Sequence, residues 1–257
     1  MQEKRTMRLD KYLADALGLP RSQAKQYLKK KRVTVNGELV TDGSYPVAAG
    51  SDRVVCMDEP VIYERYVYYM FHKPAGCVTA REDREHPTVF AYVKDIPCRD
   101  LFAVGRLDKD TEGLLLFTND GKFDHALMSP KRHVEKTYYF EAEGTLTPEE
   151  IGCLERGVSI SEKEPPTAPA RLRDVRQKEQ TVSGFLTITE GRFHQVKRML
   201  HAVGCQVTYL KRTAIGPVPL DEELPKGGYR RLTDEEIRLL LENPSQSADG
   251  GSDRDAG

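Results

Sequence analysis

The stretch Gly105-Arg106-Leu107-Asp108-Lys109-Asp110-Thr111-Glu112-Gly113 runs straight into Leu114-Leu115-Leu116-Phe117 and constrains the fold of this chain more than any other segment. Four consecutive large apolar side chains leave no polar face. The run therefore reads as a buried strand, closed by the turn residues Asn119-Asp120-Gly121. Just ahead of it a carboxylate sits among two glycines, an arginine and a threonine. An exposed surface aspartate has no need of such surroundings, whereas a side chain held at a site by a rigid neighbour does. Asp108 is thus the first candidate for chemistry.

Around this anchor the chain divides into a small module and a larger one. In the first, Leu9, Leu13, Ala16 and Leu17 recur at helical spacing over residues 8–17, and Gly18 follows as a stop. Pro20-Arg21-Ser22 makes a turn, with Ser22 the expected cap of a second helix reaching about Lys31. Residues 32–40 alternate around Asn36-Gly37, a strong hairpin signal, and residues 53–57 form a short strand. Residues 58–65, centred on Glu59-Pro60, are expected as a linker.

The remainder, 66–242, is rich in strands, expected at 66–71, 114–118, 136–142, 170–175 and 183–189. Helices are expected at 123–128, 148–156 and 191–203, the last with Phe193, Val196, Met199 or Leu200, and Val203 on one face. A terminal helix over 233–242 has Thr233 as cap and Glu236 at the capping-box position. The acidic tail, 243–257, has no large apolar residue and is expected to be disordered. Irregularly spaced strands with few helices give an α+β class rather than a doubly wound sheet.

The whole chain of 257 residues carries a net charge of only −1, but the charge is unevenly placed. Residues 1–37 hold ten basic side chains against three acidic ones, a net +7. Arg8 and Lys11 lie on the first helix, and Arg21, Lys25, Lys29 and Arg32 line one side of the second. A cationic helix beside a hairpin can follow an RNA backbone, each neutralised phosphate adding salt-dependent affinity. Other classes find no support. The five scattered cysteines form no C-x-x-C pair, and the histidines show no metal-ligand spacing, so no metal is expected. No glycine-rich dinucleotide or triphosphate loop is present, which also removes a methyltransferase. No apolar run approaches the roughly 20 residues needed to span a bilayer. A cytoplasmic protein is expected.

Two resemblances sharpen this reading. Arg8-Leu9-Asp10-Lys11-Tyr12-Leu13, Pro20-Arg21-Ser22-Gln23-Ala24-Lys25 and Val33-Thr34-Val35-Asn36-Gly37 resemble the S4 RNA-binding domain, over about residues 7–57. Gly105-Arg106-Leu107-Asp108, with Thr111, Gly113-Leu114 and Thr118-Asn119-Asp120-Gly121, resembles the central motif of the RsuA/RluB/RluE/RluF branch of the pseudouridine synthases. Lys73-Pro74-Ala75-Gly76 is similar to that family's first motif, Lys136-Thr137-Tyr138 to its tyrosine motif, and 191–200 to its third. The four stand in the family's order.

What the resemblance implies is a cofactor-free isomerisation, in which uracil is detached from ribose C1′, rotated and rejoined through C5. Asp108 is the implied nucleophile, attacking either C1′ or C6, with Asp110 at a variable position the weaker candidate. A carboxylate in a dry pocket needs a nearby cation to favour its ionised form. Lys197 is assigned that partnership, with Arg198 next to it as the alternative. Tyr138 would stack on the uracil and serve in removing the C5 proton, and Arg106 would occupy the space the flipped uridine leaves. Lys73, Arg192 and Arg198 join the implied RNA contacts, and His194 is expected in phosphate contact or packing. The segment 129–138 is most similar to the small-subunit members, implying 16S rRNA, uridine 516, or a ribosomal assembly intermediate, bound by a monomer. The alternatives are 23S rRNA and a non-catalytic assembly factor.

Overall fold

A computed structural model describes residues 6–98 and 100–242. The expected disordered tail, 243–257, lies outside the described residues. Two compact units are present, one formed by residues up to 67 together with 93–102, the other by 68–92 and everything from 103 onward.

The first unit begins with strand β1 (Thr6–Arg8) and helices α1 (Leu9–Ala16) and α2 (Arg21–Lys29). Strands β2 (Val33–Val35), β3 (Glu38–Leu39), β4 (Pro46–Ala48), β5 (Val54–Cys56) and β6 (Glu59–Val61) follow. Leu9 and Leu13 of α1 and Ala24 and Leu28 of α2 close on Val33, Val35, Val47, Val54 and Cys56 in one core. Asn36 and Gly37 both adopt positive φ (54° and 88°), the pair of left-handed residues that a two-residue hairpin turn demands.

Two expectations need correction here. Ser22 does not cap α2: Pro20, extended at φ −58° and ψ 140°, takes that position, and left-handed Lys31 (φ 56°) stops the helix early. The supposed linker is partly structured, because left-handed Met57 and Asp58 turn the chain back and β6 pairs antiparallel with β5. Tyr12 secures the strand by donating its hydroxyl to the Val61 carbonyl at 2.9 Å.

The second unit is built on one mixed sheet of nine strands. Its strands are β7 (Tyr68–Lys73), β8 (Phe102–Val104), β9 (Glu112–Thr118), β10 (Lys136–Glu143), β11 (Arg171–Lys178), β12 (Thr181–Ile188), β13 (Gln206–Ile215), β14 (Val218–Pro219) and β15 (Tyr229–Arg231). The main path runs β11-β12-β10-β13-β9-β7-β15, antiparallel at every junction except the parallel β13–β9 pair. The α+β class is borne out. Helices α3 (Gly121–Met128), α4 (Pro148–Arg156), α5 (Gln195–Ala202) and α6 (Asp234–Leu241) complete the unit. All seven residues of β9 are buried, as the unbroken apolar run required. Phe123 and Leu127 of α3 and Leu240 of α6 pack with Met70, Leu114 and Leu116. The capping box of α6 forms as expected between Thr233 and Glu236.

Gly113 is the backbone requirement hidden in the sequence motif. It has φ 106°, and a Cβ there would fall 2.2 Å from the Arg212 carbonyl oxygen. Only glycine lets β9 start against β13, in the register Arg212↔Gly113. Strand β13 itself was not anticipated, since Lys211, Arg212 and Thr213 interrupt any apolar alternation. Helix α5 starts at Gln195 rather than 191 because His194 is left-handed (φ 50°). Phe193 is consequently no core residue: it is 75% exposed.

Candidate active site

Asp108 lies on the turn between β8 and β9, and the turn is pinned from two sides. Thr79 donates its hydroxyl to the Leu107 carbonyl (2.8 Å) and accepts from the Leu107 N–H (3.2 Å). Lys73, fully buried, donates its ammonium to the carbonyls of Pro74 (3.1 Å), Lys109 (3.3 Å) and Thr111 (2.9 Å). Burial pushes the Lys73 ammonium below its ordinary pKa. The expected RNA contact by Lys73 is thus overturned. Its charge is spent inside the protein, bracing the loop that presents Asp108.

Two cationic or potentially cationic groups face the Asp108 carboxylate from the α5 segment. Lys197 Nζ stands 3.5 Å from one oxygen and His194 Nε2 3.5 Å from the other. Lys197 is shared, however, and its shorter contact is with Asp110 Oδ1, at 2.5 Å. Partial desolvation raises the Asp110 pKa, but the hydrogen bond and charge of Lys197 outweigh it and hold this largely exposed carboxyl below its ordinary value. The sequence pattern pairs Lys197 with Asp108 alone; the structure makes it a bridge between two carboxylates.

Arg192 and Arg198 both make hydrogen bonds within the protein. Arg192 donates to Glu190 Oε2 (3.1 Å) and to the carbonyls of Pro165 (2.6 Å) and Pro166 (3.0 Å). Arg198 donates to the carbonyls of Phe193 (3.0 Å) and Ile160 (3.1 Å) and to Glu164 (3.1 Å). Both guanidinium groups hold the loop around 160–166 against α5, so of the two neighbours it is Lys197 that faces Asp108. Buried Gln195 adds a bond to Glu190 (2.6 Å), and the exposed Phe193 ring stacks on His194 with centroids 3.7 Å apart.

Asp108, Glu190, Arg192, Phe193, His194 and Gln195 line a cleft of about 640 Å³ that also takes in Arg106, Tyr138, Lys136 and Arg212. Its size is within the range of sites that enclose a small ligand, and a nucleotide fits that scale. Arg106 is exposed beside it, while Tyr138 on β10 is only 8% exposed and receives an Arg212 Nη1 donor at 3.5 Å. Lys136 and Arg212 were not read as site residues. Lys136 was visible in its Lys-x-Tyr motif; Arg212 lies on the unanticipated strand, where only a charge between Leu210 and Ile215 marked it.

In the first unit Arg8, Lys11, Arg21, Lys25, Lys29 and Arg32 are all exposed. Arg8 also holds the buried Asp10 carboxylate through Nε (3.2 Å) and Nη2 (3.0 Å), with Lys25 at 3.9 Å. Among the described residues no helix is long and apolar enough to cross a membrane.

Comparison with known proteins agrees with this geometry. The family model for RNA pseudouridylate synthase matches residues 67–202, and the S4 domain model matches 7–54. An uncharacterized RNA pseudouridine synthase of Bacillus subtilis, YtzG, is 43% identical over 237 residues, covering 92% of this chain and 99% of the relative. The ribosomal small subunit pseudouridine synthase A of Haemophilus influenzae is 40% identical over 236 residues, 91% of this chain and all of the relative. Its Escherichia coli K12 counterpart is 39% identical over 237 residues, likewise 91% of this chain and all of the relative. A crystal structure of a pseudouridylate synthase superposes with TM-score 0.63 at 40% identity, over 91% of this chain and 99% of that one. With a matched catalytic segment, a matched S4 domain and relatives aligned nearly end to end, the chain belongs to the RNA pseudouridylate synthase family.

Proposed function

We propose that this protein converts one uridine of small-subunit 16S rRNA, uridine 516, to pseudouridine, with Asp108 as the nucleophile. The observation that carries the reading is Asp108 itself, held on a doubly braced turn in a nucleotide-sized cleft with Lys197 and His194 at 3.5 Å. The choice of RNA rests on relatives named for the small ribosomal subunit at about 40% identity. Tyr138 stacks on the uracil and takes part in removing the C5 proton. Arg106 fills the gap left when the uridine leaves its stack, which costs a few kcal/mol. Arg8, Lys11, Arg21, Lys25, Lys29 and Arg32 hold the RNA backbone, and the enzyme acts as a cytoplasmic monomer on rRNA or an assembly intermediate.

The test is a map of pseudouridine in rRNA from cells with the protein, without it, and with Asp108→Asn in its place. One site in 16S rRNA should be lost in the latter two. An unchanged map would sink the catalytic reading, and a loss confined to 23S rRNA would sink the substrate.

A further inference from the structure

Lys136 and Arg212 are two buried cations in one cleft wall, 6% and 1% exposed. Among the described residues neither has a carboxylate within salt-bridge distance. Lys136 donates to the Val134 carbonyl (3.1 Å), which leaves capacity on an ammonium with three protons. Arg212 donates Nε to the Leu114 carbonyl (2.7 Å) and Nη1 to the Tyr138 hydroxyl (3.5 Å), while its buried Nη2 has no partner. The grouping follows from the sheet. Tyr138 and Arg212 are direct cross-strand neighbours on β10 and β13, and Lys136 is two residues from Tyr138 on the same face of β10. Burying unpaired cations is costly, and proteins avoid it unless the charge has a use.

We propose that Lys136 and Arg212 are catalytic residues, a cationic wall that stabilises the negative charge on the uracil ring during its transfer. This rests on the reaction proposed above and holds for either point of attack. Attack of Asp108 on C6 places the displaced electron pair on the ring, at O4. Attack on C1′ breaks the C1′–N1 bond and sends that pair onto the ring, over N1, O2 and O4. On either route the C1′–N1 bond breaks, the ring's electron pair makes the C1′–C5 bond, and the bond to Asp108 (at C1′ or at C6) breaks to return the free carboxylate. The C5 proton leaves, N1 gains one, and nothing is consumed. The ring is most negative between these steps, so cations preset in a low-dielectric wall favour that state over the neutral uridine. Burial, reinforced by the Arg212 charge, pushes the Lys136 ammonium down to about 8. It therefore stays mostly protonated at neutral pH.

Single-turnover rates on the rRNA substrate, RNA affinity and melting temperature, measured on the full chain, provide the test. Lys136→Met should lower the rate about a hundredfold, the usual effect of removing one preorganised donor. RNA affinity should stay within about twofold, and the melting temperature should not fall, since an unpaired buried charge is removed. A merely structural lysine would instead lose stability and rate together, and that result overturns the proposal. Arg212→Lys, which keeps the charge, should retain at least tenfold more rate than Arg212→Gln; equal rates would overturn the role of Arg212. Asp108→Asn separates the two readings. If it is inactive while Lys136→Met is as fast as the native protein, the cationic wall fails and the proposed function stands. If Asp108→Asn remains active, the proposed function fails.

Discussion

Asp108 and Asp110 show how much two residues of spacing decide. Both contact Lys197, yet the Asp110 side chain is 73% exposed and the Asp108 side chain 28%. Asp110→Asn should leave single-turnover activity within about tenfold of the native rate, while Asp108→Asn abolishes it; the reverse order would exchange their roles. Lys73→Met should cost about 1–3 kcal/mol in a denaturant titration, because the buried Thr111 carbonyl loses its donor while those of Pro74 and Lys109 keep only Cys77 Sγ and the Gly76 N–H. Lys136 predicts a pH effect with a definite sign. Its folded-state pKa of about 8 lies below the ordinary 10.5, so the unfolded chain binds the extra proton between these values. Its destabilisation is fully present below about pH 8 and is relieved as pH rises toward 10.5. The native protein should therefore gain stability relative to Lys136→Met over that interval, by something of order 3 kcal/mol at most. Equal slopes for both proteins would contradict a charged, buried Lys136.

At the scale of elements, the junction of β9 with β13 carries the site. Gly113 lets the two strands meet, Arg212 reaches across to the Leu114 carbonyl, and the turn ahead of Gly113 presents Asp108. Gly113→Ala should destabilise the fold by about 3 kcal/mol or more, since a methyl 2.2 Å from a backbone oxygen forces the strands apart at a positive φ. Chemical denaturation checks this, and a loss below about 1 kcal/mol would mean that the strands separate easily. The left-handed His194 has a comparable role in α5. It ends the loop before the helix, so that Lys197 lies on the first turn facing Asp108 while Arg192 and Arg198 grip 160–166. Helical spacing alone placed Phe193 in the core, because periodicity carries no information about a single left-handed residue.

For the whole molecule, the RNA-binding prediction has to respect the unit boundaries. Removing residues 1–57 would cut between β5 and β6, and residues 93–102 belong with the same unit. Substitution in place is the cleaner test. Lys25→Gln with Lys29→Gln should weaken RNA binding and reduce the slope of log affinity against log salt by about 0.7–0.9 for each phosphate that is no longer neutralised. An unchanged slope would exclude α2 from the RNA-binding surface. Composition could not have shown this surface, since a net charge of −1 hides the +7 of the first 37 residues. What the amino-acid order determined by itself was local or carried in contiguous motifs. The buried strand β9, the Asn36-Gly37 hairpin, the capped helix α6 and Asp108 as the candidate nucleophile each depend on neighbours in the chain. Only the tertiary structure decided that Lys73 braces a loop, that Lys197 serves two carboxylates, and that Arg212 stands beside Tyr138. Those roles join residues 38 positions apart for Lys73 and Thr111, 87 for Lys197 and Asp110, and 74 for Arg212 and Tyr138, brought together by sheet register and by a glycine that admits a neighbouring backbone.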